Sequence, residues 1–156
     1  DLSFIDLDAT IERTAGQSIP EIFATRGEIW FRAEERRTLE KTLNQAGSLV
    51  ISVGGGALVD EEAAELLRSH PTQTVFLHVP LAELSRRLAD GTGRPMLDGN
   101  VAQRTETLYR QRLTRYIAAA DLAVDATGDA EEVVEFIMNS LGLKDLHKEQ
   151  NNDSDS

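Results

Sequence analysis

The 156 residues carry 27 Asp and Glu against 16 Lys and Arg, a net charge of −11, which argues against nucleic acid or an anionic membrane surface as a partner. With 40% apolar and 28% charged residues and no run of about 18 apolar positions, the chain reads as one soluble globular domain with no membrane span. No signal-peptide pattern stands at its start, and the absence of cysteine removes disulfide and thiol chemistry, so a cytoplasmic protein is expected.

Apolar runs alternate with amphipathic stretches, the pattern of a parallel sheet with crossover helices on both faces. Leu2 to Leu7 reads as a strand. Ile19 to Phe23 starts a short helix capped by Ser18, with Pro20 in its first turn, and Gly27 breaks it. Glu28 to Gln45 is a long helix with Leu39, Leu43 and Ala46 on one face. Ser48 to Val53 is a buried strand stopped by Gly54-Gly55-Gly56. Asp60 caps a helix to Arg68, Thr74 to Val79 is a third strand, and Leu81 to Ala89 is a helix. Asp90 to Asn100 is polar and Gly-containing, Ala102 to Ala118 is helical, Asp121 to Asp125 is a last strand, and Asp129 to Leu141 a last helix. Residues 1–143 thus form one α/β domain, and 144–156 a polar tail expected to be disordered.

Ligands of parallel α/β sheets sit at the carboxyl ends of the strands, which directs attention to the residues following each one. Asp6-Leu7-Asp8 closes the first strand, and period-two alternation would put both carboxylates on one side; a helix N-cap plus one solvated acid is the competing reading. Gly54-Gly55-Gly56 lets a backbone approach a ligand closely, or is a plain turn. Arg32 offers a bidentate fork to a carboxylate, held by Glu35 one turn on, or is an exposed ion pair. Arg94, in the loop between two helices, suits a lid closing over phosphates, or lies on an ordinary surface loop. Arg112 and Tyr116 are spaced i,i+4 on the next helix. His70, His78 and His147 show no metal-ligand spacing. Val133, Phe136, Ile137 and Leu141 form an apolar stripe read as core.

In this order and spacing, from Asp6 to Asp125, these segments resemble the shikimate kinase family. The resemblance runs through Asp6-Leu7-Asp8, Ile19-Pro20-Glu21-Ile22-Phe23, Gly27-Glu28 with Phe31-Arg32 and Glu35, Gly54-Gly55-Gly56, Arg94-Pro95, and Arg112 with Tyr116. Gluconate-type and nucleoside monophosphate kinases share the sheet but not the Phe-Arg-x-x-Glu and triple-glycine pair. The resemblance implies a nucleoside-monophosphate-kinase-like fold and a cytoplasmic, monomeric transferase of aromatic amino acid biosynthesis. It would use ATP and Mg²⁺ to phosphorylate the 3-hydroxyl of shikimate. It assigns Asp8, Arg32, Gly54, Gly55, Gly56 and Arg112 to shikimate, with Asp8 and Arg94 catalytic. Asp6 would bind magnesium through water, Arg94 the ATP phosphates, and Arg87 would flank the adenine. Beside arginines, Asp8 is expected to have a lowered pKa.

Two departures stand out. The family's phosphate-binding loop, Gly-x-x-Gly-x-Gly-Lys-Ser/Thr, and the central strand that precedes it do not occur in this sequence. Thr127-Gly128-Asp129 stands where an adenine-side arginine is common. These 156 residues by themselves are therefore expected to be inactive. The alternative expectation is a non-catalytic relative that binds a small acid or a partner chain.

Overall fold

The structure is a computed structural model that describes residues 2–90 and 99–143, with side chains described for 2–87 and 103–143. Its elements run β1 (Ser3–Asp6), α1 (Leu7–Ala15), α2 (Ile19–Leu43), β2 (Leu49–Ser52), α3 (Glu61–Ser69), β3 (Val75–His78), α4 (Leu81–Asp90), α5 (Gly99–Ala119), β4 (Leu122–Asp125) and α6 (Ala130–Ser140). The expected α/β class with parallel strands is observed: β1 pairs with β2 and β3 with β4, each in parallel register. The chain divides into two compact units, Asp1–Thr72 and Gln73–Ser156.

In the first unit, β1 is shorter than expected, because Asp6 ends it. The Asp6 side chain accepts a hydrogen bond from Ala9 N at 3.0 Å and so caps α1. Leu7 therefore does not alternate with its neighbours across a strand. It opens a helix and buries fully one turn before Ile11, also fully buried, with Ala15 completing the i,i+4 stripe. Gly16, at φ 65°, closes the helix in the left-handed conformation.

The second helix begins where the carboxylate of Glu21 accepts both the N–H and the hydroxyl of Ser18, at 2.8 and 2.7 Å. It kinks at Gly27, whose φ of 80° and ψ of 171° lie outside any helical conformation. Beyond the kink, Phe31, Glu35, Thr38, Leu39 and Thr42 are buried. The expected stripe is thus corrected: Leu39 is core, Leu43 packs at its edge, and Ala46 lies exposed beyond the helix end. Leu7, Ile11, Ile22, Phe31, Leu39 and Ala63 form the core, with Ile51 and Val53 packed against it. Val50 points the other way and is exposed together with its register partner Phe4.

In the second unit, Asp121 accepts the N–H of Thr74 through its carboxylate at 2.6 Å and tethers the start of β3 to that of β4. Phe76 packs against Tyr116 with ring centroids 5.3 Å apart. The expectation that Val133, Phe136 and Ile137 are core is not met. No residue of α6 is buried, and Phe136 and Val134 are exposed. The expected lid falls largely at 91–98 and the expected disordered tail at 144–156, both outside the described residues.

Candidate active site

Three elements of the first unit meet at the carboxyl end of β1 and β2: the first turn of α1, the middle of α2 and the glycine turn after β2. Asp8, in the first turn of α1, is half-buried. Its Oδ1 is fully buried and has no hydrogen-bond partner. Burial pushes its carboxyl above the ordinary value, and repulsion from Asp6 and Glu12 adds to this, against a smaller opposing attraction from Arg32. The expected lowering is reversed, because one partly solvated cation does not offset burial and two nearby acids.

Arg32 lies on α2, and its Nη1 donates to Glu35 Oε2 at 2.7 Å. Glu28 approaches the same guanidinium at 3.6 Å. Glu35 is 1% exposed, so the i,i+3 pair is not the exposed one its spacing allows. Burial raises the Glu35 carboxyl, attraction and hydrogen bonding from Arg32 oppose that, and Asp8 and Asp60 repel it. A nearly buried carboxylate therefore holds Arg32 in place from beneath while about a quarter of the Arg32 side chain stays exposed.

The triple glycine makes two overlapping turns. Ala57 N donates to Gly54 O at 3.0 Å, and Val59 N to Gly56 O at 3.0 Å. Asp60 then caps α3 through the N–H groups of Glu62 and Ala63, and Arg36 of α2 bonds Asp60 at 2.9 Å. That ion pair ties the turn to the helix that carries Arg32. The nearest atoms to a side chain built on Gly54 are those of Asp8 and Glu35, and on Gly56 those of Arg32. The structure thus brings Asp8, Arg32, Glu35 and the triple glycine into one cluster. Asp6 stands beside it as the α1 cap, exposed, with one carboxylate oxygen taken by Ala9 N. The closeness of Asp8 and Glu35 was not legible in the sequence, because it depends on how α1 packs on α2.

In the second unit Arg112 is half-buried, with no partner among the described residues. It lines a largely apolar cavity of about 330 Å³ with Phe76, Leu84, Tyr109 and Tyr116. His78 Nε2 and the Tyr109 hydroxyl lie 3.0 Å apart. Arg87 bonds Glu83 at 2.8 Å and donates to the carbonyls of Ala126 and Thr127 at 3.2 Å. Hydrogen bonds from Arg86 and Arg87 pull the Glu83 carboxyl down to about 2. Thr127, in the departing Thr127-Gly128-Asp129 segment, donates twice to Asp125, and Asp129 caps α6. Arg94 lies outside the described residues. Among the described residues no group of three His, Asp or Glu side chains is arranged to hold a metal directly, and no helix is long and apolar enough to cross a membrane.

A family model described as shikimate kinase matches residues 1–142. The shikimate kinase of Chlorobium chlorochromatii is 41% identical over 139 residues, covering 83% of this chain and 70% of the relative. The crystal structure of the Aquifex aeolicus shikimate kinase superposes with a TM-score of 0.78 at 33% identity, covering 90% of this chain and 82% of that one. The Acinetobacter baumannii enzyme, solved in complex with shikimate, gives a TM-score of 0.76 at 27% identity, covering 92% and 80%. Sequence and fold agree, and this chain belongs to the shikimate kinase family.

Proposed function

We propose that this chain supplies the acid-binding and base-bearing part of an enzyme that transfers the γ-phosphoryl group of ATP to the 3-hydroxyl of shikimate. The observation that carries the proposal is the buried, unpartnered Oδ1 of Asp8 beside the Arg32 guanidinium. Buried polar atoms are rarely left unsatisfied in a native protein, so an acceptor without a protein partner at the carboxyl end of the strands leaves room for a donor from a ligand. A shikimate hydroxyl is such a donor, and the Arg32 fork matches the carboxylate of the same molecule.

The chemistry follows from that placement. Asp8 accepts a hydrogen bond from the hydroxyl and orients its oxygen toward the γ-phosphorus. As the new O–P bond forms and the bond to the ADP oxygen breaks, the hydroxyl proton passes to Asp8 and then to water. A loose phosphoryl-transfer transition state asks for orientation more than for early deprotonation. The raised pKa of Asp8 makes it a better proton acceptor than an exposed aspartate. Gly55 offers backbone to the substrate, and Arg112 is proposed as a second cation for it.

Magnesium fits Asp6. Its carboxylate is exposed at the end of β1 and has one oxygen without a partner among the described residues, which suits a contact through water. When bound, the ion offsets charge on the phosphoryl oxygens. Arg87 braces the Ala126–Thr127 turn, where the family places the adenine, and Arg94 is proposed for the phosphates. A monomer in the cytoplasm remains the proposed setting. The test is ATP turnover with Mg²⁺ and shikimate by these residues preceded by a strand and a Gly-x-x-Gly-x-Gly-Lys-Ser/Thr loop, wild type against Arg112→Ala and Arg32→Ala. A rise in KM for shikimate with KM for ATP unchanged is expected for both. An equal effect on ATP alone would overturn the assignment.

A further inference from the structure

We infer that the two outer glycines of the triple glycine are positioning residues with separate clients, Gly56 serving Arg32 and Gly54 serving Asp8. This rests on the reading of Asp8 and Arg32 given above and goes beyond a role for the glycine backbone. Neither glycine has a positive φ, so alanine could adopt either backbone conformation, and what each position requires is space.

At Gly56 the space belongs to Arg32. A methyl group there would overlap Arg32 Nη1, with Cζ at 2.5 Å and Nη2 at 2.6 Å. The turn cannot easily retreat. Gly56 is itself buried, its carbonyl accepts the N–H groups of Val59 and Asp60, and Ala57 next to it is fully buried. The movable party is the guanidinium, the far end of a flexible side chain. An alanine at this position therefore expels Arg32 from its seat and separates it from Glu35.

At Gly54 the space belongs to carboxylates. A methyl group would stand 3.0 Å from Asp8 Oδ1, 3.3 Å from Asp8 Oδ2 and 3.2 Å from Glu35 Oε1. These contacts are tight without being impossible, so the neighbour shifts by a few tenths of an ångström. Asp8, in the first turn of α1 and half-buried, is freer to shift than the buried Glu35. The displaced atom is the buried, unpartnered oxygen that receives the substrate hydroxyl.

The two substitutions should separate kinetically. In these residues preceded by a strand and a Gly-x-x-Gly-x-Gly-Lys-Ser/Thr loop, Gly56→Ala is expected to raise KM for shikimate about 10- to 100-fold with kcat nearly kept, because substrate anchoring is lost. Gly54→Ala is expected to lower kcat about 10-fold with a smaller change in KM, because the base is misplaced. Adding Gly56→Ala to Arg32→Ala should change nothing further, since the group it displaces is gone. Additive losses in that double variant, or the same kinetic change from both glycines, would overturn the inference. Should Gly56→Ala alone fail to fold, the double variant removes the overlap and should fold as Arg32→Ala does; its failure would show that the turn itself needs glycine. A crystal structure of Gly56→Ala separates this inference from the functional reading. Arg32 displaced in an enzyme that ignores shikimate would sink the substrate assignment and keep the positioning role, whereas Arg32 in its original seat would sink the positioning role.

Discussion

Asp8 and Glu35 are two carboxylates that the fold keeps close together under a single arginine, and both have pKa values raised chiefly by burial. An acid with a raised folded pKa is held at a cost that appears as pH rises through the ordinary carboxylate range; below that range the acid is protonated in folded and unfolded states alike and the cost disappears. Asp8→Asn should therefore raise the melting temperature at pH 7, and the gain should vanish below about pH 4. It should also lower kcat by about 100-fold or more, through loss of the proton acceptor. A variant less stable than wild type at pH 7 would mean that Asp8 is a structural anchor. Arg32→Ala should behave in the opposite sense. Removing the cation leaves Glu35 buried and uncompensated, at about 3 kcal/mol near neutral pH. Because the Glu35 pKa then rises further, the loss should shrink as pH falls toward about 5. Urea unfolding at the two pH values measures this, and an equal loss at both would contradict it.

At the scale of elements, the kink at Gly27 aims the second half of α2, and with it Arg32 and Glu35, at the glycine turn. Its φ of 80° and ψ of 171° belong to a region open essentially to glycine, and nothing lies within 4 Å of a side chain built there. Gly27→Ala is therefore a clean test of backbone strain. It should destabilise by about 1–3 kcal/mol and raise KM for shikimate through a re-aimed Arg32; unchanged stability would mean that the helix straightens freely. The break at Gly27 was legible because glycine punctuates an otherwise helical pattern. The helix α1 was less so. Leu7, Ile11 and Ala15 carry helical spacing, but Asp6-Leu7-Asp8 also satisfies strand alternation, and only the Asp6 cap decides between them. The stripe on α6 misled for a related reason: amphipathic spacing says which face is apolar, and Phe136 on that face is nonetheless exposed. The charge pattern of Arg32 and Glu35 was visible, but its burial was not, since burial comes from the packing of α1 and the glycine turn around it.

At the scale of the molecule, a net charge of −11 gives an overall field that repels anions, so the proposed anionic substrate would have to be held by local arginines. The phosphate cradle is the other half of that chemistry. Backbone donors and a lysine stabilise the transferred group in this class of reaction, and their motif does not occur among these 156 residues. We propose that residues 1–156 by themselves turn over no ATP, and that shikimate binding depends on Arg32 whether or not the cradle is present. Calorimetric titration of shikimate into residues 1–156 should give a signal that Arg32→Ala abolishes. Binding unaffected by Arg32→Ala would place the acid elsewhere.

The most direct measurement is the formation of shikimate 3-phosphate from ATP, Mg²⁺ and shikimate, followed by mass spectrometry. It would be run on residues 1–156 alone and on the same residues preceded by a strand and a Gly-x-x-Gly-x-Gly-Lys-Ser/Thr loop. The account predicts no product from the first and product from the second, with at least about 100-fold less when the second also carries Asp8→Asn. Product from residues 1–156 alone, or none after the loop is supplied, would contradict it.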